Sequence, residues 1–212
     1  MAHDLSRLAG MKNILHVACS PRGRTAESYK LSQKIIDFVV RDTPLVTVVE
    51  RQVGDGSLPH IDANYALTQH SATAEIPQEG SVAQSELLIR ELEAADVLVI
   101  STPMHNLGVP STLKAWIDHV VRARRTFDMG PEGKVGLLQD RPVYIAIASG
   151  GVFSGERARQ PDFLTPYLQT VLAQIGLHEV TFFSVEGTGS GEDKVAQSRA
   201  HTDRALRAHF AP

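Results

Sequence analysis

Residues 95–127, ADVLVISTPMHNLGVPSTLKAWIDHVVRARRTF, constrain the fold more than any other stretch of the chain. They open on the short apolar run Val97-Leu98-Val99-Ile100, rich in β-branched side chains. Such a run reads as a strand buried on both faces, in the middle of a parallel sheet. A loop follows between Pro103 and Pro110, with the turn-favouring Asn106 and Gly108 inside it. Ser111 is placed to cap the next helix. There Leu113, Trp116, Ile117, Val120 and Val121 recur at i, i+3, i+4, i+7 and i+8, while Lys114, Asp118 and Arg122 fall on the other face. Strand, loop and amphipathic helix make half of a βαβ unit. In open α/β sheets a ligand sits outside the carboxyl ends of the strands, so residues 103–110 are its expected place; a plain connection is the alternative.

The same alternation runs through the chain. Residues 12–18 read as the first strand, 19–25 as a turn, and a helix follows with Leu31, Ile35, Phe38 and Val39 on one face. Residues 45–50 are the second strand. Residues 51–80 carry no clear period and predict a short helix over 63–70 inside a longer wall or lid. A helix over 81–94 leads into the third strand. Residues 126–138, with Gly130-Pro131 and Gly133, read as a turn rather than a core element. Strands over 142–148 and 178–185 alternate with helices over 162–175 and 192–210. The expected fold is α/β: one domain over 1–212, with helices on both faces of a five-stranded parallel sheet in the flavodoxin-like order 2-1-3-4-5.

Composition narrows the function. A net charge of −3 gives no reason to expect nucleic acid or an anionic membrane as partner. One cysteine excludes an intrachain disulfide framework, and no run is long and apolar enough to span a bilayer. The opening MAHDLSRLAG lacks the apolar core of a signal peptide. The expectation is a soluble, unprocessed, cytoplasmic protein.

With that strand order, the loops at 20–28, 103–107 and 148–153 share one crevice. The first carries Ser20, Thr25 and Ser28 into a helix N-terminus, with Arg22 and Arg24 nearby. A helix start offers free N–H groups and a positive dipole end, which suit a phosphate; ordinary capping by Thr25 or Ser28 is the alternative. Neither G-x-x-x-x-G-K-[ST] nor G-x-G-x-x-G is present. A cysteine phosphatase loop, C-x5-R, needs arginine at position 25, which is Thr25, so Cys19 reads as a small buried hydrophobe. The nine histidines lack tight ligand spacing, so no metal is expected, and no G-x-S-x-G surrounds Ser149. His105 is a possible proton donor, Trp116 belongs to the core, and Phe127 and Phe153 either line a pocket or pack.

Residues 103–119, PMHNLGVPSTLKAWIDH, resemble the signature of FMN-dependent NADH-azoreductases, within the wider flavodoxin-like NAD(P)H quinone reductases: P-M-[YWH]-N-[FL]-x-[IVL]-P-x-x-L-K-x-[WY]-I-D. The resemblance extends through Arg122, Thr126-Phe127, Gly136-Leu137-Leu138 and Ser149-Gly150-Gly151, and back to Ser20-Pro21, Ser28, Leu31 and Ser32. It implies that Ser20, Ala26, Glu27 and Ser28 cradle the FMN phosphate. Met104, His105, Asn106 and Leu107 then border the isoalloxazine ring, and Ser149, Gly150 and Gly151 hold its pyrimidine edge. Phe127 and Phe153 become substrate-pocket residues. The resemblance further implies a homodimer with the active site at its interface. It also implies a ping-pong cycle in which NADH or NADPH reduces FMN, which then reduces a quinone or azo compound. His105 stands where Tyr is common and Leu107 where Phe is common, departures that bear on substrate preference more than on flavin binding. Since a flavin carries the hydride chemistry itself, no acid–base pair or nucleophile is needed from the chain.

Overall fold

The computed structural model describes residues 11–41, 43, 45–68 and 79–211. Its elements run β1 (Met11–Ala18), α1 (Glu27–Val40), β2 (Leu45–Gln52), α2 (Ala63–Thr68), α3 (Gly80–Ala94), β3 (Val97–Pro103) and α4 (Ser111–Val120). Then come β4 (Phe127–Gly130), β5 (Gly133–Gly136), β6 (Val143–Ala148), α5 (Thr165–Ala173), β7 (Val180–Val185) and α6 (Glu192–His209). The main sheet has the order β2-β1-β3-β6-β7 and every pair in it is parallel. Leaving aside the separate β4-β5 pair, this is the 2-1-3-4-5 order expected.

Both faces of the central strands are covered, which is why they read as unbroken apolar runs. One face sets Leu15, Val17, Leu98, Ile100, Ile145 and Ile147 against the α3–α5 side chains Leu88, Leu92, Trp116 and Leu168. The other sets Ile14, Val97, Val99 and Ala146 against Leu31, Ile35 and Leu206 of α1 and α6. Alternate residues thus enter opposite cores. Trp116 is fully buried, as its place on the apolar stripe requires. His16 is a buried polar residue among them: its Nε2 meets Ser32 Oγ at 2.9 Å and Ser101 Oγ at 3.2 Å, and burial lowers its pKa to about 4.

The register levels the strand ends, pairing Ala18 with Ser101, Pro103 with Ala148 and Ala148 with Val185. The ladder then runs one residue further. Cys19 N–H donates to Ser101 O at 2.9 Å, Met104 N–H to Ala148 O at 2.9 Å, and Ser149 N–H to Val185 O at 3.0 Å. Each crevice loop therefore leaves the sheet from a fixed point.

Several local expectations are corrected. Ser111 is the first helical residue rather than the cap; Pro110, at φ −66° and ψ 154°, precedes α4, and no side chain caps it. Proline at this place loses no hydrogen bond, because the first helical N–H groups have no intrahelical acceptor. Arg122 does not face solvent. Since α4 ends at Val120, Arg122 leaves the helical period and turns inward to Glu86 and to Ser85 Oγ (2.9 Å). Residues 126–138 form a true hairpin, Phe127 pairing with Gly136 and Gly130 with Gly133. Gly136 is obligatory there, because a Cβ would fall 2.2 Å from Gly176 N. Helix α5 starts three residues after Asp162, whose Oδ1 accepts from Leu164 N (2.9 Å) and Thr165 N (3.0 Å). The helix expected over 63–70 is seen as Ala63–Thr68; its last two positions, like the opening ten residues, lie outside the described residues.

Candidate functional site

The first loop is a tight turn feeding a helix. Gly23 N–H donates to Ser20 O at 3.0 Å and Arg22 N–H to Ser20 Oγ at 3.3 Å, so Ser20 is both pivot and acceptor. Thr25 does not cap α1; its hydroxyl donates back to Arg22 O at 2.8 Å. Ala26 is extended, the helix begins at Glu27, and no side chain caps it. Its first N–H groups therefore point out of the helix without intrahelical acceptors. Ser28 does not cap either. It is fully buried, and its Oγ has no hydrogen-bond partner among the described residues. A buried hydroxyl left unpaired costs about 1–3 kcal/mol. The Glu27 carboxylate is held by Arg199 Nε (2.8 Å) and Lys30 Nζ (3.1 Å), and the Arg199 hydrogen bond above all keeps its pKa below the usual range. What Glu27 offers an anion is its backbone N–H.

The second loop is strained at its tip. His105 and Gly108 exchange backbone hydrogen bonds of 3.0 Å in both directions, closing a two-residue hairpin turn on Asn106 and Leu107. Both central residues lie in the left-handed region, Asn106 at φ 48° and Leu107 at φ 71°. That is the pattern of a type I′ turn, which suits Asn but not Leu. Met104 is buried beneath the turn, while His105 and Asn106 are exposed at the rim.

The third loop separates its two glycines. A Cβ on Gly150 would meet nothing within 4 Å, so this glycine faces the open crevice. A Cβ on Gly151 would fall 2.3 Å from Gln160 Oε1, so this one yields its space to a neighbouring side chain. Carbonyls of the loop are fastened from behind: Thr188 N–H donates to Ser149 O (3.0 Å), Gly189 N–H to Gly150 O (3.2 Å) and Gly187 N–H to Gly151 O (3.0 Å). Phe153 stands beside this loop, half-buried, its N–H donating to Glu186 Oε2 at 2.8 Å.

The fold thus brings Ser20, Ala26, Glu27 and Ser28 to the same sheet edge as Met104, His105, Asn106 and Leu107, and as Ser149, Gly150, Gly151 and Phe153. It does not bring Phe127 there within one chain. Phe127 sits on the hairpin that packs by the start of β7, at the opposite ends of the strands, under the Lys134 ammonium at 4.6 Å. Cys19 is fully buried and burial pushes its thiol pKa up, which suits a core residue and not a nucleophile.

Three residues of the site carry no local signature. Thr112 Oγ1 donates to Cys19 O at 3.0 Å, joining the start of α4 to the first loop. Gly54 lets the chain after β2 pass under Ser20, where a Cβ would fall 2.2 Å from Ser20 O. Gln160 Nε2 donates to both Met104 Sδ and Ser149 Oγ, each at 3.1 Å.

The sequence matches the family described as flavodoxin-like fold over residues 12–210. It is 45% identical over 199 residues to FMN-dependent NADH:quinone oxidoreductase 4 of Pseudomonas fluorescens, covering 93% of this chain and 94% of that protein. The chain belongs to this flavodoxin-like family of FMN-dependent NADH:quinone oxidoreductases. A second relative in the family, FMN-dependent NADH:quinone oxidoreductase 5 of Burkholderia lata, is 48% identical over 178 residues, covering 84% of this chain and 86% of its own. Among solved structures, an azoreductase from Bacillus anthracis superposes with a TM-score of 0.79 at 26% identity, over 93% of this chain and 98% of that one.

Proposed function

We propose that this protein is an FMN-dependent NADH:quinone oxidoreductase acting by a two-electron ping-pong cycle, with azo compounds as further acceptors. The observation that carries the reading is the unpartnered, fully buried Ser28 hydroxyl in the first turn of α1, where free N–H groups and the helix dipole already favour an anion. The open side of Gly150 supports it from the other end of the crevice, since nothing in the protein itself requires that space. Relatives whose names state this activity support the chemistry.

Ser20, Ala26, Glu27 and Ser28 hold the phosphate, Ser28 by its hydroxyl and Glu27 by its N–H. Met104, His105, Asn106 and Leu107 border the ring, and Ser149, Gly150 and Gly151 hold the pyrimidine edge. When bound, FMN supplies the hydride chemistry between the nicotinamide and the acceptor. Backbone dipoles fixed by 187–189 are preorganised beside that edge, which suits a site where negative charge develops. Exposed at the rim, His105 is placed to hand a proton to the leaving product. Phe153 lines the substrate side. A homodimer, in which a second copy closes the crevice, gives Phe127 a route to the partner's site, and the cytoplasm is the compartment of the reaction.

Ser28→Ala separates this reading from a purely structural serine, because its two effects have opposite signs. The flavin-free variant should be more stable by about 1 kcal/mol, having lost an unpaired buried hydroxyl. FMN affinity should fall by about 10-fold or more, the worth of a charge-assisted hydrogen bond, while riboflavin affinity stays level. Fluorescence titration with the two flavins and urea unfolding measure both. Equal losses for FMN and riboflavin would remove Ser28 from the phosphate site.

A further inference from the structure

We propose that Gln160 is a positioning residue of the flavin seat: its carboxamide pins the loop after β3 to the loop after β6 and so fixes the two loops that border the ring. The inference rests on the crevice assignment above and adds a residue that none of the three loops contains. The amide nitrogen of Gln160 bridges the two loops where they meet, Nε2 lying 3.1 Å from Met104 Sδ of one and 3.1 Å from Ser149 Oγ of the other. Ser149 is 2% exposed, and its own hydroxyl turns toward Met104 Sδ at 3.8 Å, so the three groups form one closed polar contact. The other end of the carboxamide fills the space where a side chain on residue 151 would start, 2.3 Å from the Cβ position. Gly151 is therefore required by Gln160, whereas Gly150 faces the opening.

The segment around Gln160 is built as a strap across the same two loops. Arg159 N–H donates to Val152 O at 2.8 Å, and Phe163 N–H donates to Leu107 O at 3.1 Å. Asp162 then ends the strap by capping α5 through Leu164 N (2.9 Å) and Thr165 N (3.0 Å). Backbone bonds fix the strap at both ends, and the Gln160 side chain hydrogen-bonds to both loops. Glutamate at this position keeps the shape but loses both donors and sets a negative charge behind Ser149 and Met104. That charge opposes the negative charge a reduced flavin develops at its pyrimidine edge. Alanine loses the donors and the volume beside Gly151 but adds no charge.

The test uses the full-length protein with FMN as probe. Wild type, Gln160→Ala and Gln160→Glu are compared by FMN titration, by the visible spectrum of the bound flavin, by its midpoint potential and by the Tm of the flavin-free form. Expected are a dissociation constant about 3–10-fold higher in both variants, from the lost hydrogen bonds, and a shifted visible spectrum. The midpoint potential should fall in Gln160→Glu and less in Gln160→Ala, with Gln160→Asn restoring neither. A wild-type dissociation constant and potential in Gln160→Glu overturn the inference, and so does a change confined to the Tm. Failure of the wild type to take up FMN overturns the crevice assignment as well, which separates the two claims.

Discussion

Leu107 holds a backbone conformation that costs a side-chain-bearing residue about 1–2 kcal/mol relative to glycine. It keeps φ 71° because the reciprocal His105–Gly108 hydrogen bonds close the turn and Phe163 N–H holds its carbonyl at 3.1 Å. Strain retained at the tip of a crevice loop is a cost tolerated where the side chain has a task beyond stability. Leu107→Gly and Leu107→Ala both remove that side chain, so their difference isolates the backbone term. The Gly variant should be the more stable by about 1 kcal/mol in urea unfolding, and both should lose reductase activity. An Ala variant as stable as the Gly variant would show that the turn is not strained. At this scale the sequence announces the residues whose chemistry is local. Asn106 and Gly108 mark a turn, and Ser20 and Ser28 mark a helix start with hydroxyls. Gln160, Thr112 and Gly54 are silent because their partners, Ser149, Cys19 O and Ser20 O, are near only in space.

The connection from α4 to β4 is tied to α3 by charge. Glu86, 7% exposed, accepts from Arg122 and from Arg125, the latter at 2.9 and 3.0 Å, and Arg125 reaches on to Glu93 at 3.1 Å. The Arg125 hydrogen bonds first, with those of Arg122, lower the Glu86 pKa to about 2. A carboxylate lowered on folding stabilises the fold above its unfolded value, 4.5 here, and that contribution fades as pH falls toward 2. Glu86→Gln should therefore cost about 3 kcal/mol near pH 7, because it leaves Arg122 buried without its charge partner. The gap to wild type should narrow steadily below pH 4.5. A gap that is constant with pH, followed by urea unfolding, would mean that the pair contributes shape and not charge. None of this is legible along the chain. Arg122 sits on the polar side of a helical wheel until the helix stops at Val120, and two four-residue strands rich in glycine carry too little pattern to be told from a turn. Long periodic elements escape that ambiguity, which is why the five sheet strands and the helices α3, α5 and α6 lie where the apolar pattern puts them, within two or three residues at their ends.

Across the whole molecule, one topological fact organises the rest. The order β2-β1-β3-β6-β7 makes β1, β3 and β6 neighbours, and their level carboxyl ends deliver three loops to one edge. Alternation of strands and helices predicts the parallel sheet, while the strand order needs the switch-point rule and the signature of residues 103–119 to be named in advance. Phe127 marks where that reasoning ends, because a motif gives no information on which end of the sheet a hairpin will pack. The central claim is that this edge binds FMN and passes reducing equivalents from NADH to a quinone. Its most direct test is the anaerobic visible spectrum of the FMN-loaded protein, before and after stoichiometric NADH and again after benzoquinone. The expected result is a bound-flavin spectrum that bleaches with NADH and returns with the quinone. A protein that takes up no flavin, or whose bound flavin stays oxidised with both NADH and NADPH, would contradict it.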